Sequence, residues 1–249
     1  VDQQTKAALK QDKFVTTTTH GLEWASENRR SVITTSAILL GAILILVLGV
    51  VLYNKRADAA SIDFGAAMQV YQTPVAPPGQ VVPPGVKTYP TDAERAKAAN
   101  ALFLGVANKY GLTPDGRVAR YFAGLTYLEA GQNQSAEDTL KKVAGSWNSD
   151  LSSLAKLALA QLYRQTGRDA QAIDLYNQLT AKPTATVPPG LAQLQLGELY
   201  ESEGKTELAK AVYAKLQDQD KDKTTKSPAA AIAKEKLNPA PAGPPGLAQ

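Results

Sequence analysis

The stretch Ser31–Tyr53, SVITTSAILLGAILILVLGVVLY, constrains this chain more than any other. It carries no charge, and the uncharged run continues to Asn54 before Lys55 and Arg56 close it. At about 1.5 Å per residue, a helix over 31–54 reaches roughly 36 Å, enough to cross a hydrocarbon core of about 30 Å with some tilt. Its Leu, Ile and Val side chains, at about −0.3 to −0.6 kcal/mol each near the helix centre, supply at most roughly −4 to −8 kcal/mol of insertion free energy. Thr34, Thr35 and Ser36 oppose this only mildly, because a helical hydroxyl can bond a carbonyl one turn back. A core helix of a soluble domain would show a polar stripe, and none is present. A cleaved signal peptide has one feature in its favour, the small-residue run Ala57-Asp58-Ala59. Against it stand the length of the apolar run and the basic pair that directly precedes those residues. The sequence predicts a retained single-pass anchor over 31–53.

Its flanks set the expected orientation. Lys6, Lys10, Lys13, Arg29 and Arg30 precede the span, whereas only Lys55 and Arg56 follow it before Lys87. Lys and Arg favour the cytoplasmic side, so residues 1–30 are expected to form a cytoplasmic tail and the remainder to be exported. Trp24 and Tyr53 lie near the two ends, where amphipathic rings prefer the headgroup layer.

The chain beyond the anchor is long enough for one domain with a real core. The net charge of +4 over 249 residues is too dilute for a nucleic-acid surface. With no cysteine and a single histidine, His20, the sequence offers no disulfide, no thiolate nucleophile and no sulfur-based metal site. His20 reads as an exposed tail residue. Within residues 1–30, Ala7, Leu9 and Phe14 suggest a short helix that the Thr16–Thr19 run ends.

Past the anchor, Asp58–Gln72 reads as a helix with Ile62, Phe64, Gly65, Met68 and Tyr71 available for packing. Composition then shifts to the Pro-rich insertion 73–90, which holds two PPG units. Proline lacks a backbone donor and restricts its predecessor, so this insertion is a loop of polyproline-II character. Thr91 caps a helix over Asp92–Tyr110 with Glu94 at the capping-box spacing. Ala99, Phe103, Val106 and Tyr110 mark its packing face.

From Asp115 to Asp220 the chain repeats itself. YLEAGQNQSAEDTLKKV, LYRQTGRDAQAIDLYNQL and LYESEGKTELAKAVYAKL align on Gly131, Gly167 and Gly204. Gly124, Ala160 and Gly197 share one position before the turn, and Tyr127, Tyr163 and Tyr200 share another. Ala136, Ala172 and Ala209 follow the turn, then Leu140, Tyr176 and Tyr213. Each block reads as helix, glycine turn, helix. The small residues allow close approach, the tyrosine fills the space beside them, and the glycine relieves the turn.

This pattern resembles the tetratricopeptide repeat, matching its small, Tyr, turn, Ala and aromatic positions in all three blocks. The family's early Trp is missing, and its late Pro is absent or displaced, as with Pro183. The segments around Phe64-Gly65 and Met68, and around Ala99 and Phe103, fit as an earlier repeat split by the Pro-rich insertion. The fold class expected is therefore all-α: a single transmembrane helix followed by a tetratricopeptide-repeat α-solenoid over 57–237. The segment Ala229–Leu237 is expected to cap the last pair, with a disordered tail over 238–249.

No catalytic residues, cofactor or metal site emerge. No phosphate-cradling loop is present, and Asp218, Asp220 and Asp222 lack the glycine and terminal Glu of an EF-hand, so they read as a solvated face. Ala37 and Gly41 form a small-xxx-small pair within the span, a weak sign of helix contact. The resemblance instead implies a concave groove lined by the first helix of each pair, presenting Tyr121, Leu125, Gln161, Arg164, Leu194, Glu198 and Glu201. Leu125 and Leu194 could equally pack between repeats. The Lys/Asn cluster with which some family members grip a terminal carboxylate is absent.

An N-terminal anchor with an exported repeat array resembles the YfgM-like family of bacterial inner-membrane proteins associated with the Sec translocon and periplasmic chaperones. The resemblance implies a non-enzymatic adaptor in the inner membrane with its repeats in the periplasm. Its partners would be a translocon subunit, a periplasmic chaperone or an exported polypeptide. The alternative is a structural component of a cell-envelope complex, with the repeats as a spacer.

Overall fold

The computed structural model describes residue 24, residues 27–221 and residues 227–238. The expectations for Ala7, Leu9, Phe14, His20 and Asp222, and for the tail beyond residue 238, lie outside the described residues.

Nine helices are present among the described residues: α1 Arg29–Tyr71, α2 Asp92–Lys109, α3 Pro114–Glu129, α4 Asn133–Ala144, α5 Ser149–Gln165, α6 Asp169–Ala181, α7 Pro189–Ser202, α8 Thr206–Asp220 and α9 Pro228–Leu237. The chain divides into two units, Val1–Arg56 and Ala57–Gln249. In the first, the apolar run lies within α1, and none of its residues from Ser31 to Tyr53 is buried. The two segments read separately in the sequence belong to one helix, because Asn54-Lys55-Arg56-Ala57 contains neither Gly nor Pro to end it.

The second unit is an all-helical array. From α2 to α9 each helix packs on its neighbours in sequence, and α3 with α5, and α7 with α9, also touch. The helix starts are fixed by local chemistry. Thr91, Thr113, Asn148 and Ser227 each accept a backbone N–H of the first turn, from Glu94, Gly116, Leu151 and Ala230 respectively. Pro114, Pro189 and Pro228 occupy first-turn positions where no intrahelical donor is needed.

The three repeat turns close identically. Gly131, Gly167 and Gly204 have φ of 72°, 69° and 73°. The following residues, Gln132, Arg168 and Lys205, each donate 2.8 Å hydrogen bonds to the carbonyls of Tyr127, Tyr163 and Tyr200 five residues back. This is the Schellman arrangement, in which the left-handed residue lets the chain reverse while satisfying terminal carbonyls. The aligned glycines are therefore a backbone requirement.

Residues 57–71 pair with α2 as the sequence predicted, and Phe64, Met68 and Tyr71 pack as expected, but Ile62 and Gly65 do not. Ala60, Ala67, Phe64 and Tyr71 face inward, while Ile62 and Gly65 are exposed. The inward set is spaced 4, 3 and 4 residues apart, the stripe of one helix face. Phe64 lies 5.7 Å from Phe103 between ring centroids, and Phe103 stacks on Phe122 at 5.2 Å. The insertion 73–90 forms two turns, Pro77–Gln80 and Pro83–Val86. Gly79 and Gly85 carry φ of 94° and 84° at their third positions. Pairing of Val75 with Tyr89 closes the base of the loop.

Asp220, read in the sequence as part of a solvated face, is 3% exposed. Its carboxylate accepts the Ser227 backbone N–H ahead of α9, which accounts for a buried acid at the end of α8.

Candidate partner-binding groove

Close approach of the paired helices rests on the small residues. A Cβ on Gly124 would sit 2.6 Å from Leu140 Cδ2, and one on Gly197 would collide with the ring of Tyr213. Ala136, Ala160, Ala172 and Ala209 are buried to 1% exposure or less. Tyr163 is buried, and Tyr127 and Tyr200 are half-buried against the core.

The residues named for the groove divide into groups. Tyr121 and Leu125, on α3, are half-buried and pack against the central core, with Tyr121 edge-on to Phe122 at 5.6 Å. Gln161 and Arg164, on α5, line an open hollow of about 610 Å³ together with Gln165, Asp169, Leu199 and Ser202. Arg164 Nη1 donates to Gln195 Oε1 at 3.1 Å, and Gln195 Nε2 donates to Glu198 Oε2 at 2.9 Å. A polar bridge thus joins α5 to α7. Glu201 is exposed and receives Lys236 Nζ from α9 at 2.8 Å. Leu194 differs from the groove expectation: at 6% exposure it packs with Ala209, Tyr213, Leu216 and Ala233. The last pair needs an apolar seam against α9, and Leu194 supplies part of it.

Among the described residues, the buried hydroxyls of Tyr176 and Tyr213 find no partner at full hydrogen-bond geometry, with Arg164 and Glu201 as their polar neighbours. Burial pushes the Tyr176 hydroxyl above its ordinary pKa, with Arg164 pulling the other way. Burial, then Glu201 and Glu198, push the Tyr213 hydroxyl up as well. Arg164, Glu198 and Glu201 therefore form a mixed-charge strip whose electrostatics reach the rings that fill the repeats.

Sequence reasoning missed Gln195 and a second network, at Glu137. Its carboxylate is bound by Lys141 and Arg168, each at 2.7 Å, and by the Tyr163 hydroxyl at 3.1 Å. The signal was present in the alignment, where the other two blocks carry Ile173 and Lys210 at this position. A carboxylate there, one repeat before an Arg beside the turn glycine, marks an ion pair between repeats. Among the described residues no group of His, Cys, Asp and Glu side chains could hold a metal ion.

Comparison with protein families matches the tetratricopeptide repeat-like domain over residues 23–239. The chain belongs to this family. Members of the tetratricopeptide repeat-like domain family are typically non-catalytic, and their repeats serve protein–protein contacts. The array resembles two crystal structures described as Podosopora anserina putative kinesin light chain nearly identical TPR-like repeats, one of them a point-substituted form. The identities are 17% and, for the substituted form, 16%, with TM-scores of 0.52 and 0.53. Each likeness covers 73% of this chain and 84% of the other, and bears on the fold alone. A sequence comparison with curated proteins gives no significant match.

Proposed function

We propose that this protein is a membrane-anchored, non-enzymatic adaptor whose repeat array engages a protein partner through the strip formed by Gln161, Arg164, Glu198 and Glu201. The observation that carries this reading is the polar bridge Arg164–Gln195–Glu198 beside an open hollow, on a family scaffold that generally binds proteins. Groups of both signs on rigid helices, half-buried at Arg164 and Glu198 and exposed at Glu201, suit recognition of a peptide or partner helix, where charge fixes register and partner choice.

The anchor reading rests on Ser31–Tyr53. Ile38, Leu44 and Ile45 are 72%, 68% and 72% exposed in this run, and such a continuous apolar surface requires lipid or protein cover. The charge asymmetry of the flanks favours a cytoplasmic N-terminus and an exported array. With the resemblance to the YfgM-like family, this supports a location in a bacterial inner membrane. Its partners would be translocon subunits, periplasmic chaperones or exported polypeptides. A structural role in an envelope complex is the competing reading, supported by the same repeats used as a spacer.

Photo-crosslinking in intact membranes separates them. Crosslinkers replacing Tyr121, Arg164 and Glu198 are expected to capture translocon subunits or varied exported chains. Capture only at Ala37 or Gly41, of one stoichiometric membrane protein, refutes the adaptor and leaves the spacer.

A further inference from the structure

We infer that one edge of the repeat array, built from the turns after α2, α4 and α6, is a membrane-contact surface that seats Leu112 and Trp147 in the headgroup layer of an anionic bilayer. The inference rests on the anchor reading above. Contacts within the array define this edge. Asp63 pairs with Lys109 at the end of α2, at 3.2 Å. Arg117 donates to the Leu112 carbonyl at 2.8 Å while its guanidinium lies 5.2 Å from the Trp147 ring centroid. Thr186 donates to Asp150 at 3.2 Å, joining the turns after α4 and α6.

The edge concentrates apolar exposure. Among the described residues of the array, the four most exposed large apolar side chains are Val81 at 94%, Leu112 at 86%, Trp147 at 80% and Ile62 at 74%. Leu112 and Trp147 lie on this edge, and Ile62 precedes Asp63. Trp147 is not an unformed core residue: it is held open over Arg117. An indole beside a guanidinium, with an aliphatic side chain next to it, has the chemistry of the bilayer interface, where amphipathic rings and basic groups concentrate.

Charge points the same way. Lys142, in the last turn of α4, and Lys182, just after α6, are exposed and stand with Arg117 against Asp115 and Asp150. Lys109 balances Asp63, whereas the Thr186 hydroxyl leaves the Asp150 charge in place, so three bases face two acids. An anionic headgroup surface therefore fits the edge better than a neutral one.

Trp24→Phe leaves Trp147 as the only tryptophan, since the chain has two. The full-length variant is reconstituted in equimolar phosphatidylcholine–phosphatidylglycerol vesicles, in phosphatidylcholine vesicles and in detergent. Expected in the anionic vesicles are a blue-shifted Trp147 emission, loss of acrylamide quenching and strong quenching by lipids brominated near the headgroup. Lys142→Gln with Lys182→Gln should weaken all three. If the protein survives an alkaline wash yet Trp147 stays as accessible as in detergent, the inference fails while the anchor stands. Release by the wash overturns the anchor and this inference with it. A shift that follows protein density rather than lipid charge assigns the edge to a second copy and overturns the lipid assignment.

Discussion

The ring of Tyr213 occupies the space that a Cβ on Gly197 would need. Tyr213 is 1% exposed, so its ring has nowhere to retreat without opening the seam shared with Leu194, Leu216 and Ala233. The close approach of α7 and α8 therefore depends on a missing methyl group.

Gly197→Ala is expected to destabilise the array by about 1–3 kcal/mol through overpacking, read as a lower melting temperature by circular dichroism. Gly65→Ala is the matched control. Gly65 is helical with nothing within 4 Å of an added Cβ, so the same change there should be neutral or gain up to about 1 kcal/mol. An equal response at both positions would show that the close approach of Tyr213 does not govern Gly197.

Gly167 tests the turn rather than the seam. A Cβ there meets no atom within 4 Å, yet φ is +69°. Gly167→Ala should cost about 1–2 kcal/mol from left-handed strain alone. Gly167→Asn should lose less, because Asn tolerates that region. If Ala and Asn behave alike, strain at the turn is not the cause.

Most of the helix plan was legible because the repeat imposes two independent signals, a backbone one at Gly131, Gly167 and Gly204 and a packing one at the small residues. Residues 57–71 carried neither. Their phase is set by Phe103 and Phe122 across the helix pair, which explains why Ile62 and Gly65 were misplaced while Ala60 and Ala67 went unnoticed. The groove was less legible still. Gln195 acts only because α5 brings Arg164 to it, a contact 31 residues distant in sequence. Leu194 and Asp220 turn inward because α9 covers them, and no periodicity within α7 or α8 announces that.

Ala172 is fully buried at the crossing of α6 with its neighbours. Ala172→Arg forces a long charged side chain into that crossing, at a cost on the order of several kcal/mol from overpacking and charge burial. A sharply lower melting temperature, or loss of the cooperative transition, is expected for the full-length protein in detergent. An unchanged melt would refute the assignment of this alanine to the helix crossing.

Glu137 gives the array a pH-dependent joint. Hydrogen bonding from Lys141, then from Arg168 and Tyr163, outweighs burial and lowers its pKa to about 2 from the ordinary 4.5. A carboxylate whose folded pKa is depressed stabilises the fold above its unfolded pKa, and that contribution is lost as pH falls through the folded value. The window is therefore about 4.5 down to about 2. Glu137→Gln removes the charge but keeps the shape, leaving Arg168 stacked on Tyr163 at 4.4 Å without its counter-ion. At neutral pH the variant should be less stable by about 1–2 kcal/mol, the scale of charge-assisted hydrogen bonds that become neutral. Melting temperatures of the two proteins should then converge between pH 4.5 and pH 2, because protonation of the wild type produces the same neutral group. A stability difference that persists unchanged down to pH 2 would mean that Glu137 acts through packing and not through its charge.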